Sequence, residues 1–157
     1  MQALNFGFME ARRSEIAGIN GKLSEYHAAI GLAELDCWPR KRADFARVTE
    51  LYRDCATRQG LVLRLFTAPA IASCYTLYHA TDGEQARSLE STLVEAGVDH
   101  RLWYGLGLHR EPYFADAPHD PLPGVDALAP CLVGLPTAPD LAVAEIEHIV
   151  GSIAQAG

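Results

Sequence analysis

The period of the apolar residues changes at Gly60, and that change limits the fold more than any other feature of this chain. Before it, Phe45, Val48, Leu51, Tyr52 and Cys55 fall at i, i+3, i+6, i+7 and i+10. That is the spacing of one face of a helix. It predicts a helix from about Arg40 to Gln59, with Gly60 as its C-terminal stop. After Gly60 the apolar residues gather into short runs. "LVLRLF" (Leu61 to Phe66) and "SCYTLYHAT" (Ser73 to Thr81) are rich in β-branched and aromatic residues and are bounded by Pro69 and Gly83. Both read as strands. A helical pattern returns over 84–96, with Ala86, Leu89, Leu93 and Ala96 on one face and Gly97 after it. "VDHRLWY" (Val98 to Tyr104) predicts a further strand. Residues 105–140 are rich in proline and glycine and read mostly as loop, with "CLVGLP" as a candidate short strand inside it. A last helix, about 142–155, turns Val143, Ile146, Ile149, Val150 and Ile153 inward.

The stretch ahead of this pattern is different. Residues 1–22 have no clean period and read as an irregular lead-in. Ser24 is placed as an N-cap and Glu25 falls in the first turn, where the helix dipole favours a negative charge. A helix from about Ser24 to Cys37 follows, and Pro39 ends or kinks it. This helix is packed with small residues: Ala28, Ala29, Gly31 and Ala33. A glycine inside a helix costs about 1 kcal/mol relative to alanine. Either a neighbour approaches this face too closely for side chains, or the turn before the helix holds a ligand. Two helices, two strands, a helix, a strand, a loop, a short strand and a helix, in that order, predict an α+β domain with a small sheet and helices on one face. The first helical stretch is long for so small a sheet. The division expected is 1–38, belonging in part to another structural unit, and 39–157, a small α+β domain.

Composition narrows the function classes. The net charge of −7 is unsuited to a nucleic-acid binder. No apolar run approaches the roughly 20 residues that a membrane helix needs. "MQALNFGFMEARR" lacks a basic segment followed by an apolar one, so no signal peptide is expected. Cys37, Cys55, Cys74 and Cys131 are widely spaced, which fits reduced thiols in a cytoplasmic protein better than a disulfide framework or a zinc site.

Residue chemistry alone gives little catalytic signal. No His pair has metal-ligand spacing. "HREPYFADAPHD" offers His109, His119, Asp116 and Asp120, but a solvated polar loop is the stronger reading. There is no G-x-S-x-G elbow and neither a Walker nor a Rossmann glycine pattern. The four cysteines read as small buried hydrophobes. That leaves Gly18-Ile-Asn-Gly-Lys-Leu-Ser. Its backbone donors, the Asn20 amide and the Lys22 ammonium could converge on an anion ahead of the helix. An ordinary Asn-Gly turn explains the same residues, and on chemistry alone is favoured.

Three longer motifs carry a resemblance. "ALNFGF", then "GINGKLSEYHAAIGLAELD", then Arg47 and Tyr52, closely resemble the DegT/DnrJ/EryC1/StrS family of pyridoxal-phosphate-dependent sugar aminotransferases. "HRLWYGLGLHREPYF" is similar to the family's "R-x-x-Y-x-P-L-H-x-x-x-x-Y" segment, with Gly107 where proline is usual. "LVGLPTAPDL" is similar to its "L-x-L-P-x-x-P-x-L" segment. The motifs occur in the family's order and span essentially the whole chain.

The resemblance implies the small C-terminal domain of a type I pyridoxal-phosphate-dependent transferase: a small, mostly antiparallel sheet with helices on one face, preceded by a long kinked helix. It implies pyridoxal 5'-phosphate as cofactor, nucleotide-linked keto sugars as substrates, an amino donor such as glutamate, and a homodimer. By position Asn20 matches the asparagine that reaches the cofactor phosphate of the other subunit. His109 matches a position near the sugar, and Tyr104 lies close to it. Trp103, Tyr104 and Tyr113 are equally well explained as core or hinge packing. Gly107 is expected to loosen the loop. The family's cofactor-bearing lysine precedes the segment resembling "ALNFGF". The two lysines here, Lys22 and Lys41, do not match it, so no catalytic residue is assigned. The expectation is the C-terminal part of such an enzyme, inactive alone, completed by a homodimer or by a partner chain carrying the large domain. The alternative is a non-catalytic interaction or dimerisation module derived from the family.

Overall fold

The computed structural model describes Leu4 and residues 16–67, 74–102 and 105–156. The chain divides into two compact units, Met1–Pro39 and Arg40–Gly157. In the first, the Gly21 N–H donates to the Leu4 carbonyl at 2.9 Å. A Cβ at Gly21 would lie 2.7 Å from Leu4 Cδ2, so a larger residue here would have to push the Leu4 side chain aside. The next element is α1 (Glu25–Arg58). Ser24 caps it as expected. Its hydroxyl accepts from the His27 N–H at 3.3 Å and is hydrogen-bonded with His27 Nδ1 at 2.7 Å.

α1 is one continuous helix of 34 residues with Pro39 inside it, where the sequence predicts two helices meeting at that proline. A proline removes one i→i−4 hydrogen bond, but its φ is helical, so long flanking segments can carry the helix through. The buried residues of α1 are Val48, Thr49, Tyr52, Cys55 and Ala56, all after Pro39. In the half before it, Tyr26, Leu32 and Leu35 are 73%, 65% and 66% exposed. No atom of the described residues comes within 4 Å of the position a Gly31 Cβ would take. Among the described residues, nothing therefore covers the small-residue stripe at Gly31.

The second unit is the α+β domain. Its strands are β1 (Leu65–Thr67), β2 (Thr76–His79), β3 (Arg101–Leu102) and β4 (Leu132–Leu135). They form one sheet in the order β1-β2-β4-β3, with every neighbouring pair antiparallel. α2 (Gly83–Glu95) joins β2 to β3, and α4 (Val143–Gln155) follows β4. β2, α2 and β3 therefore make a split β-α-β unit whose gap is filled by β4. "CLVGLP" supplies a central strand. The strands are shorter than predicted: residues 62–64 turn before β1, and Trp103 and Tyr104 lie outside the described residues. Residues 105–140 are not all loop, because α3 (Pro123–Leu128) precedes β4.

Alternation decides the two faces of the sheet. Leu65, Tyr78, Val133 and Leu102 are cross-strand partners on one face. Tyr78 and Val133 join Leu89 and Leu93 of α2, Ile146, Ile149, Val150 and Ile153 of α4, and Val48, Tyr52 and Cys55 of α1 in a single core. This is why the apolar period before and after Gly60 differs: helix faces and strand faces meet on the same side of one sheet. Polar ties join the helices. His148 Nε2 donates to the Ala96 carbonyl at 3.0 Å, and Arg58 reaches Glu147 at 3.0 Å. Asp82 caps α2, its Oδ1 accepting from the Glu84 and Gln85 N–H groups at 2.9 Å each. Asp82→Ala is expected to lower stability by about 1 kcal/mol, read as a drop in the urea midpoint at unchanged slope. An unchanged midpoint would show the cap to be energetically idle.

Candidate functional site

Two motifs quoted above meet in the fold. Arg47 donates from Nη2 to the carbonyls of Pro139 and Leu141 at 3.1 and 3.2 Å. The Tyr52 hydroxyl donates to the Pro136 carbonyl at 2.7 Å. Arg47 and Tyr52 thus fasten α1 to the "LPTAPDL" segment that links β4 to α4. Tyr52 is fully buried. Burial, and then the neighbouring Cys55 thiol, push its phenol well above the ordinary range. It stays a neutral donor at any working pH. These two residues serve the scaffold.

The chemistry gathers in the loop after β3. Gly107 sits at φ +97°, a left-handed conformation that favours glycine. A single 3-10 turn follows, Leu108–Arg110. It brings His109 to Asp126 on α3. His109 Nε2 lies 2.9 Å from Asp126 Oδ1. Arg110 donates to the same oxygen from Nε at 3.1 Å and from Nη2 at 2.8 Å. The His109 side chain is only 7% exposed. Its ring seats against Gly107, where an added Cβ would lie 2.9 Å from Cε1 and 3.0 Å from Nδ1. The His119 ring meets it edge-on at 5.3 Å. Hydrogen bonds from His109 first, and Arg110 second, hold the Asp126 carboxyl below its ordinary value. A depressed carboxyl contributes stability above its unfolded pKa and loses it as the pH falls through the folded one. The clasp is therefore an interaction of neutral pH that acid removes.

This geometry corrects one expectation. Gly107 does not loosen its surroundings. Its missing Cβ and positive φ are what let His109 pack inward and reach Asp126. The sequence reading set His109 beside Asp116, Asp120 and His119, and overlooked Asp126 and Arg110 as its partners. One local signal pointed to α3: Pro123 stands at the start of "PGVDAL", the position helices favour for proline. Among the described residues no group of three or more His, Cys, Asp or Glu could hold a metal ion.

Asn20 lies in the first unit and is exposed, beside Gly21, whose N–H donates to the Leu4 carbonyl. Tyr104 lies outside the described residues, so its place near the sugar is not described. Lys22 precedes α1 and Lys41 lies on it. A separate cavity of about 310 Å³ opens at the start of β2 and β3 and the end of β4. It is lined by Cys74, Asp99, His100, Arg101 and Thr137 among others, and neither Asn20 nor His109 lines it. No helix of the described residues is long and apolar enough to cross a membrane.

A small antiparallel sheet with a split β-α-β unit, led into by one very long helix, is the fold of this chain. Solved structures share it. A Bacillus cereus protein described as a PLP-dependent aminotransferase superposes with a TM-score of 0.86 at 24% identity, over 97% of this chain and 42% of its own. DesI, solved with its TDP-sugar product, superposes with a TM-score of 0.79 at 24% identity, over 98% of this chain and 41% of its own. Residues 2–154 match the DegT/DnrJ/EryC1/StrS aminotransferase family, and the chain belongs to it. The erythromycin biosynthesis protein EryC1 of Saccharopolyspora erythraea is 29% identical over 156 residues, 95% of this chain and 41% of that protein. Protein Rv3402c of Mycobacterium tuberculosis is 33% identical over 110 residues, 70% of this chain and 26% of that protein. The chain thus spans less than half the length of the relatives it matches.

Proposed function

We propose that this chain is the C-terminal part of a pyridoxal-phosphate-dependent aminotransferase acting on nucleotide-linked keto sugars, with an amino acid such as glutamate as donor. The observation that carries the reading is the family match over residues 2–154. The buried imidazole of His109, on the loop that the resemblance sets against the sugar, supports it. Asn20 is the residue of this chain suited to a cofactor phosphate, because it is exposed beside Gly21, whose N–H is held by the Leu4 carbonyl. One amide donor serves as one of several phosphate ligands, and the rest belong to a large domain. When bound, the cofactor supplies an electron sink for transfer of the amino group. This chain's share is to orient: Asn20 toward the phosphate, His109 and Tyr104 toward the sugar. Lys22 and Lys41 take no part in carrying the cofactor. The segment 1–38 belongs in part with that large domain, and 39–157 is the small domain.

Titration of the purified chain with thymidine diphosphate glucose tests the sugar assignment. Proton and nitrogen resonances of the His109 loop are expected to shift, and those of α4 to stay still. An undisturbed loop at millimolar ligand would remove the sugar from this site. Treatment with pyridoxal phosphate and borohydride is expected to leave Lys22 and Lys41 unmodified at stoichiometric level. A stoichiometric adduct on either lysine would contradict the assigned division of labour.

One observation favours a second reading, a non-catalytic association module. The half of α1 before Pro39 presents Tyr26, Ile30, Leu32, Leu35 and Trp38 to solvent. A row of this kind is unusual on a lone soluble chain and suits an interface. The occupant is a second copy or the large domain of a partner chain. Light scattering decides between association and a solitary chain: a clean monomer across the concentration range would count against the module.

A further inference from the structure

The cavity at the start of β2 and β3 and the end of β4 holds about 310 Å³. Pockets that take small molecules begin near that size, and a few convergent polar groups set what they accept. Two of its lining residues carry opposite charges. Asp99 and Arg101 are two positions apart, the separation that puts side chains on one side of extended backbone, and both line the cavity. Among the described residues neither side chain makes a hydrogen bond or an ion pair, with the other or with any third group. His100 stands between them and is engaged elsewhere: Nδ1 donates to the Val98 carbonyl at 3.1 Å, and Nε2 lies 3.9 Å from Glu90 of α2. The Thr137 hydroxyl donates to the Leu135 carbonyl at 3.3 Å. Gly134, the cross-strand partner of Arg101, puts backbone instead of a side chain into the wall. The guanidinium and the carboxylate are the two unsatisfied charges of the cavity.

Their chemistry selects the ligand. A guanidinium presents a planar fork of donors that matches a carboxylate. A carboxylate only accepts, which suits an ammonium group. A ligand with a negative charge alone would meet Asp99 as a like charge, and one with a positive charge alone would meet Arg101. The two side chains are exposed, where pairing with each other would be worth at most about 1 kcal/mol. That competes little with a molecule that satisfies both. We propose that this cavity is a binding site for a free α-amino acid, with Arg101 taking its carboxylate and Asp99 its ammonium group. The site stands on the cavity and its two charges, and does not depend on the sugar-facing role given to His109.

The test uses the complete 157-residue chain at neutral pH. The probes are glycine and L-glutamine, with acetate and methylamine as ligands that carry only one of the two charges. Proton–nitrogen spectra should show saturable shifts of Asp99, Arg101 and Thr137 with both amino acids, while α4 stays still. Acetate and methylamine should each bind at least about tenfold more weakly than glycine, the loss of one charged contact. R101Q and D99N should each weaken glycine about tenfold as well. R101Q should leave methylamine unaffected, and D99N should leave acetate no weaker. A second reading needs no variant to fold. Cys74 is exposed and lines the cavity, so its alkylation by iodoacetamide should slow in step with occupancy by glycine, and that of Cys37 should not. Three results would overturn the proposal: no saturable shift with either amino acid, acetate binding as tightly as glycine (a bare anion site), or an affinity for glycine unchanged in either variant. Alkylation of Cys74 indifferent to saturating glycine would equally remove the ligand from this cavity.

Discussion

Tyr52→Ala is expected to destabilise the domain by about 3–5 kcal/mol, the range for deleting a large buried aromatic. Tyr52 is fully buried and lies where α1, the sheet and α4 share one core. Its loss removes packing and leaves the Pro136 carbonyl, now 2.7 Å from the hydroxyl, without its donor. Domains of this size are stable by only about 5–15 kcal/mol, so the variant should be partly unfolded at 37 °C. Tyr52→Phe separates the two contributions. It keeps the ring and drops only the hydrogen bond, for an expected cost of about 1–3 kcal/mol. Urea unfolding followed by circular dichroism gives both values. If the phenylalanine variant is as unstable as the alanine one, the hydroxyl and not the packing governs this position. If it is as stable as wild type, the link from α1 to the segment before α4 is not an anchor.

Gly107→Pro restores the residue usual in the family, and should nonetheless disrupt this loop. Proline holds φ near −65°, whereas the backbone here is at +97°. The ring would also fill the space beside His109 Cε1 and Val125 Cγ1, each 2.9 Å from an ideal Cβ. Neither neighbour can withdraw cheaply, because His109 is held by Asp126 and Val125 lies on α3. The loop must therefore refold locally and give up the clasp, a change of about 3 kcal/mol or more in the loop conformation. Gly107→Ala should show the same sign with a smaller effect. The measurement is the ring spectrum of His109: loss of its single environment is expected in both variants, while global unfolding moves little because α3 contributes no fully buried side chain. A proline variant with an unchanged His109 spectrum would mean that the loop does not need the positive φ.

The two predictions mark different kinds of information. Tyr52 was already on the helix face set by Phe45, Val48, Leu51 and Cys55, so its burial is a local property of spacing. The same holds for the Ser24 cap and for the inward faces of α2 and α4, except that Val143, expected inward, is 47% exposed. Each depends on residues within a few positions of one another, and short-range chemistry fixes it. The family motifs are legible for the same reason, since each is a short run of residues. What the spacing cannot hold is which runs become neighbours. "CLVGLP" is a short apolar run like any other until it takes the place between β2 and β3. Pro39 and Arg40 look like a boundary between helices until long helical flanks carry α1 through them.

The candidate site shows the same division. His109 and Asn20 were singled out because motifs named them. Asp126 was not, because it lies 17 positions along a proline- and glycine-rich chain from His109, and no periodicity links the two. Gly107 was read as slack, because a glycine in a sequence has no sign of φ. The sequence by itself determined the helix faces, the strand-forming runs and the family. Only the tertiary structure decided the strand order and the partner of His109, because pairing across a sheet and closure of a loop are settled by contacts between residues far apart in the chain.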